Sequence, residues 1–514
     1  MSTILQNITL HPYVSLLFTL ASFLCLQYIL GAIRAARSVL SRLPGPWYAS
    51  LTTLHLNYAF SRGTIWKNVE ECHKIYGPVF RLGPRQIWIS DKDAMKYILM
   101  TTDLPKVTMY SEISRDRFSP GLFGEIRREP HKRLKRFLSP AFSVSYVDNL
   151  EFLFSKCLQD LIHRYVALSS SPSSGKDKPA VTDMMNDLHN VALDIMGECS
   201  FGKGFGQTNP TKDIDFDKST WEKIPSAIFN GMTKRYQFVY VKRFLRRLGY
   251  EVEFDWPKEM ISAIKAMTKE RETNREKIRP DLLQHLIDEG QNPATGMKMN
   301  VRDVVDQMSE ILLAGSETTS GTIACFFLEI VRNNSVKEKL LKSLPILGPE
   351  DPIISSKTVR NGTEYEYLEA CVKETLRMHP IASEMGRRTG AEPIELMGHL
   401  IPPHTVVSAS YRELHRNPAH WPEPMRFWPE RWLKNRPVGV PPPDLQAYYP
   451  FSAGKHSCVG INFAWAEIRM VTANLLTRYD FCELPGQNID WRQYITMQFE
   501  GGSWKVSLMP RYEV

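Results

Sequence analysis

Tyr13 to Ile33 is an unbroken run of 21 residues without a charge, dominated by Leu, Phe, Ile, Val and Ala. As a helix it would span about 31 Å, the thickness of a bilayer core of ~30 Å. Arg34, Arg37 and Arg42 follow the run, and no Lys or Arg precedes it. The positive-inside rule therefore puts residues 1–12 in the lumen, 13–33 in the membrane and the bulk of the chain in the cytosol. A cleaved signal peptide fits less well. The apolar stretch is too long, the basic leading region is missing, and no small-x-small site ends it. Asn7-Ile8-Thr9 is a glycosylation sequon that falls on the lumenal side, very close to the bilayer.

Residues 34–47 form a basic, proline-rich hinge that ends in Leu43-Pro44-Gly45-Pro46-Trp47. The two prolines forbid helix and give a stiff, extended connection, either a plain linker or a spacer that sets how the body sits on the membrane. From residue 48 to 514 no second boundary appears. The whole chain is 43% hydrophobic and 23% charged, enough to build a large core. A net charge of +8 is too modest at this length to argue for nucleic acid. The eight cysteines are scattered with no CxxC pair, which argues against a disulfide framework and for a reducing compartment.

Apolar periodicity predicts helices over 61–75, 131–167, 180–200, 257–290, 300–333, 335–343, 364–378 and 461–478. Short strands are expected at 78–82, 86–90, 393–396, 405–408 and 504–508, with proline-rich coil over 415–450. Residues 168–180 read as an internal surface loop and 345–363 as a second loop-rich stretch. The fold class is mainly α with a minor β component.

Three segments carry chemistry. In Phe451-Ser-Ala-Gly454-Lys-His456-Ser-Cys458-Val-Gly460 a single thiol ends a glycine-punctuated turn, just before a helix beginning near Ile461. The unpaired N–H groups of that helix start point at the sulfur and favour its thiolate. A lone Cys is more often an inert core residue, but the flanking Phe, the two glycines and the helix reverse that expectation. Gly454 allows a tight turn, and Gly460 allows close approach of backbone to a flat cofactor. In Glu374-Thr-Leu-Arg377 the charges share one helix face. Pro429-Glu-Arg431-Trp432 offers a second Arg, so that a buried Glu with two Arg partners would lock the fold. Ala314-Gly-Ser-Glu317-Thr318-Thr places an acid and hydroxyls inside an apolar helix, where Ser and Thr can bond back to carbonyls and Gly315 opens space. Such groups are expensive in a core unless they work, for example by relaying protons.

Together, in this order along the chain, these segments resemble the cytochrome P450 family of haem-thiolate monooxygenases, of the fungal microsomal type. The resemblance spans the chain from the apolar anchor to the cysteine loop. It implies a mostly helical fold holding haem b between two long helices. It also implies Cys458 as the axial iron ligand, Glu317 and Thr318 as the proton-delivery pair, and Glu374, Arg377 and Arg431 as a structural triad. By the same resemblance Arg388 pairs with a haem propionate, and His131 and Lys135 reach the propionates from the helix that contains them. One position departs from the family. His456 stands where an Arg is usual, and a neutral His is at best one donor, so anchoring there is weakened and His456→Arg should keep or improve haem retention.

The resemblance further implies insertion of one oxygen atom from O2 into a lipophilic substrate, with electrons from NADPH through a membrane cytochrome P450 reductase. The expected location is the endoplasmic reticulum membrane, and the expected substrates are terpenoids, polyketides or similar secondary-metabolite intermediates. Arg127, Arg128, Lys132, Arg133 and Lys455 are candidates to receive the acidic face of the reductase. By family position the substrate pocket draws on Tyr110, Phe118, Phe123, Ile311, Ala314, Ile381, Met385, Met497 and Phe499. A haem-thiolate isomerase or dehydratase without net O2 use, and a non-catalytic haem-binding sensor, are the alternatives; Glu317 and Thr318 argue against both.

Overall fold

The computed structural model describes residues 12–114, 120–170, 179–209, 244–250, 258–274 and 279–512. Asn7 and Phe118 lie outside the described residues.

Helix Pro12–Ala36 contains the uncharged run, and its side chains project into open space: Leu16 is 68% exposed and Phe18 is 64% exposed. It is long and apolar enough to cross a bilayer. Val301–Arg332 passes the same test of length and composition, but two-thirds of its apolar window is buried and it is a core helix. The hinge is docked rather than loose. The Arg81 backbone N–H donates to Pro44 O at 2.8 Å, and the Arg81 guanidinium donates to Ala35 O at 2.9 Å. Leu40 and Leu43 are buried. Gly45 is required, because a Cβ there would strike the Arg81 carbonyl oxygen.

The core is built around Val301–Arg332, on which Met184–Phe201 and Ile461–Arg478 pack, with Val144–Ser169 packed in turn on those two helices. An Asn300/Asp303 capping box starts the long helix, which runs unbroken through its polar segment. Ser316, Thr318 and Thr322 each donate to the carbonyl four residues back, so their hydroxyls are satisfied without breaking the helix. Gly315 does not open space as expected. A Cβ there would lie 2.5 Å from Met196 Sδ, so this glycine lets the neighbouring helix approach.

Two expected helices are divided. The segment 131–167 is Arg128–Leu138 and Val144–Ser169, separated by a tight turn containing Pro140, whose missing N–H ends the first; Ser143 caps the second. The segment 257–290 is Lys258–Thr273 and Leu282–Glu289, the latter capped by Asp281. Residues 180–183 are a strand that pairs with Lys505–Pro510, and the helix begins at Met184. A four-stranded sheet runs in the order Val79–Gly83, Gln86–Ile89, Val406–Ser410, Glu384–Arg388. Its Gln86–Ile89 and Val406–Ser410 strands are parallel and its other pairs antiparallel. Residues 415–450 carry short turns rather than long elements, as their prolines demand.

Candidate active site

The cysteine loop is fixed by backbone chemistry. The Cys458 N–H donates to Phe451 O at 2.9 Å and closes the loop. Gly454 has φ +70°, and a Cβ there would strike the Leu99 carbonyl oxygen. Ser452 Oγ and Tyr411 Oη share a hydrogen bond of 2.8 Å, and Phe451 packs on Trp465 with ring centroids 6.5 Å apart. Lys135 reaches across from its helix and donates to Lys455 O, Ser457 O and Ser457 Oγ, each at 2.9 Å. Gly460 sits just before helix Ile461–Arg478 with an ordinary negative φ, 4.0 Å from the sulfur at the nearest for an added Cβ.

Cys458 lies deep in the body and yet its side chain is exposed, so it fronts an interior space rather than the outer surface. The Gly460 N–H and the Lys135 ammonium both favour its thiolate, as the helix start suggested. For the sulfur alone, burial outweighs them and pushes the thiol above its ordinary value. A bound metal reverses this balance, because a coordinating thiol is deprotonated.

Beside the loop lies a cluster of cations and imidazoles. His456 Nδ1 and His131 Nε2 are 3.2 Å apart. Burial, then neighbouring charge from Lys106, Lys135 and Arg387, pushes His131 down to about 3; burial, then His131 and the same three cations, push His456 down to about 2. Both rings are therefore neutral near pH 7, as the sequence suggested for His456. Arg387 is 1% exposed, and its Nε and Nη2 are buried without a partner. Lys106, bridged to Arg387 through the backbone, donates to Leu122 O and Phe123 O, and burial lowers it to about 7. Arg388, the residue expected here, is adjacent to Arg387 in the strand, and successive strand side chains point to opposite faces. It is Arg387 that lies near the two histidines. Lys135 is spent on the cysteine loop.

The triad residues are in place. Arg377 grips Glu374 through two hydrogen bonds, of 2.8 and 3.0 Å, with both side chains fully buried. Arg431 Nε is 3.4 Å from Glu374 Oε1. Trp432 Nε1 and the Trp428 N–H complete the carboxylate's shell at 2.9 and 3.1 Å.

The long helix presents Ala314 and Thr318 to a cavity of about 400 Å³. Thr318 Oγ1 donates to Ala314 O at 2.7 Å. Burial raises Glu317, while Arg492 and a hydrogen bond from Thr496 oppose that rise. Tyr110, Phe123, Ala314 and Met385 line this cavity. Ile381 and Met497 line a different one, beside His379 and Arg416. Phe499 is in the core against Trp491, and Ile311 packs on the core. Sequence reasoning missed Glu310 and Glu384, which also line the main cavity. The spacing of Glu310, Ala314 and Glu317, by four and then three, would have put Glu310 on the same helix face.

A deep thiol in a glycine-bearing loop, hydrogen-bonded at a helix start, beside buried cations with unpaired guanidinium nitrogens, defines a haem-thiolate class of site. The comparisons agree. Residues 42–499 match the cytochrome P450 family profile. The chain is 27% identical to the cytochrome P450 monooxygenase FUS8 of Gibberella moniliformis, over 99% of this chain and 96% of that one. It is equally similar to the cytochrome P450 monooxygenase acrD of Aspergillus aculeatus, over 96% of each. Its identity to the benzoate 4-monooxygenase bphA of Aspergillus niger is also 27%, over 90% of this chain and 91% of that one. The chain belongs to the cytochrome P450 family, and its class of activity is monooxygenation. The family implies a haem-thiolate iron, and the residues present fit one: a loop-held sulfur facing inward, and orphaned buried cations that suit acidic side groups.

Proposed function

We propose that the chain is a membrane-anchored monooxygenase that inserts one atom of O2 into a lipophilic substrate. The electrons would come from NADPH through a partner reductase. The observation that carries this reading is an acid–threonine pair, Glu317 and Thr318, at the wall of a largely apolar cavity, in a body that also holds Cys458 in a fixed loop.

When bound, haem b supplies O2 activation at its iron. The chain supplies the rest. Cys458 Sγ is the iron ligand, with the Gly460 N–H and Lys135 holding its negative charge. Arg387, Lys106, His131 and His456 receive the propionates, with Arg387 taking the role first assigned to Arg388. Thr318 Oγ1, now directed to Ala314 O, can turn into the cavity and pass a proton there. Glu317, whose pKa burial raises against the pull of Arg492 and Thr496, is the acid beside it in that path. Phe123, Met385 and Leu313 keep bulk water away.

Helix Pro12–Ala36 anchors the protein in the endoplasmic reticulum with its body in the cytosol. The arginines after the span support that orientation. The reductase docks on the face carrying Arg128, Lys132 and Lys455. Their ion pairs to Asp103 and Glu129 are long, 3.3–4.0 Å, which leaves these charges available to an acidic partner. Arg127 is less free, since Glu125 holds it at 2.6 Å. Arg133 donates to Asn292 O. The substrates are secondary-metabolite intermediates, a reading supported by the similarity to the fungal monooxygenases FUS8 and acrD.

The test is turnover with a reductase, NADPH and isotopically labelled oxygen on a panel of lipophilic compounds. One labelled atom in the product, with labelled water as co-product, is the expected result. Product formed without oxygen uptake would favour an isomerase and overturn the proposal.

A further inference from the structure

Three carboxyl groups stand on the walls of the main cavity: Glu310 and Glu317 from the long helix and Glu384 from strand Glu384–Arg388. Glu317 belongs to the proton path; the other two have no role in it. No Lys, Arg or His is among the described residues that line this cavity. The cations whose charge these carboxyls feel, Lys106, Arg412 and Arg492, are not among those lining residues. Lys106 donates to the Leu122 and Phe123 carbonyls. Arg412 is paired with Glu70 and Glu413 at 2.7 and 2.5 Å. Arg492 lies 5.6 Å from the Tyr494 ring centroid.

The two spare carboxyls are held in place but not saturated. Ser114 Oγ donates to Glu310 Oε1 at 2.6 Å, and the Phe123 N–H donates to Oε2 at 2.9 Å. Gly121 packs directly on this carboxyl, where any Cβ would strike it. Glu384 is held by a single hydrogen bond, from Trp88 Nε1 to Oε2 at 3.0 Å. Its other oxygen is left for whatever enters. Burial raises both acids to about 7. Each carboxylate can accept up to about four hydrogen bonds, so both retain capacity toward the cavity. An apolar cavity of this kind, with fixed acceptors and no cation among its described lining residues, costs least to fill with an apolar molecule that brings its own positive charge.

We propose that this cavity selects lipophilic molecules bearing a protonated amine, received by Glu384 and Glu310, and disfavours carboxylates. The inference rests on the reading of the cavity as the substrate site. It also sets this chain apart from a relative named for benzoate, an anionic substrate.

The test uses the haem-loaded full chain without reductase, after its reduced CO spectrum has established thiolate ligation. Three probes of one skeleton are compared by equilibrium dialysis: phenylbutyl-dimethylamine, its uncharged hydrocarbon isostere, and phenylpentanoate. The ferric spectrum shows whether the amine nitrogen has instead bound iron. Amine affinity is expected to exceed that of the isostere by on the order of ten-fold or more, with phenylpentanoate weakest. Glu384→Gln and Glu310→Gln should each shrink the amine preference and leave isostere binding unchanged. Equal binding of amine and isostere, tightest binding of the carboxylate, preference carried by iron coordination, or preference intact in both variants would overturn the proposal. The wild-type comparison decides by itself if a variant fails to fold. A normal CO spectrum with no amine preference would sink this inference and leave the monooxygenase reading standing.

Discussion

At the scale of single residues, a cation's value depends on what already occupies it. Arg387 and Arg388 are neighbours in sequence and of one chemistry, and each has a buried guanidinium nitrogen without a partner, but it is Arg387, with two, whose charge acts on His131 and His456. Arg387→Ala should release haem to apomyoglobin several-fold faster than wild type, and Arg388→Ala should change that rate little. The reverse order would restore the role to Arg388. The cations around His456 also temper the expectation for His456→Arg: with Arg387, Lys106 and Lys135 already there, retention should hold rather than improve. Glu384 gives a pH signature. Its pKa rises from 4.5 to about 7 on folding, so the native state binds more protons than the unfolded state between those values. Stability attributable to this group therefore falls as pH rises through that window. Glu384→Gln should flatten that part of the stability–pH curve, read by chemical denaturation of the holoprotein. An unchanged slope would show that Glu384 titrates normally.

At the scale of elements, glycines mark where backbones must touch. The cysteine loop crosses the Leu99 carbonyl at Gly454, in left-handed conformation, and no side chain fits there. Gly454→Ala should cost at least about 1–3 kcal/mol and lower the yield of haem-loaded protein. An unchanged melting temperature and haem content would refute the close packing. Breaking the triad is costlier. Glu374→Gln leaves two buried guanidinium groups without their anion, a loss of about 3–5 kcal/mol that should show as poor recovery of folded protein. Most of the chemistry-bearing elements were legible in the sequence, because capping residues and apolar spacing are local signals. The helix after Cys458 runs over the predicted residues, and the long helix differs by one residue at each end. What was not legible is non-local. Strand Ala180–Asp183 exists because Lys505–Pro510 pairs with it, and Tyr479–Glu483 for the same reason on the other side. The break at Pro140 was a local signal overridden by the long apolar pattern around it. In the site, Cys458 and the triad could be read from motif and spacing. Proposing Arg387 rather than Arg388 for the propionates needed the strand's facing, and Glu384 needed the fold to show that it lines a cavity.

At the scale of the whole molecule, helix Pro12–Ala36, the segment after it and the body form one mechanical line. Arg81 ties the end of helix Pro12–Ala36 and Pro44 to the sheet, so the hinge fixes the body's pose relative to that helix. Deleting residues 1–36 should move the protein from the membrane pellet to the soluble fraction with its CO spectrum intact. Retention in the pellet would mean that other surfaces hold it to lipid. The arrangement places a deep, loop-held sulfur on one side of an interior space and, in the same body, a cavity lined by Glu317 and Thr318, the pair proposed to carry protons. All of that chemistry depends on Cys458. The most direct measurement is therefore the difference spectrum of the reduced protein with and without CO, for wild type and Cys458→Ala. The account predicts the long-wavelength Soret band of thiolate ligation in wild type and its loss in the variant. A haem-loaded wild type without that band, or a variant that keeps it, would contradict it.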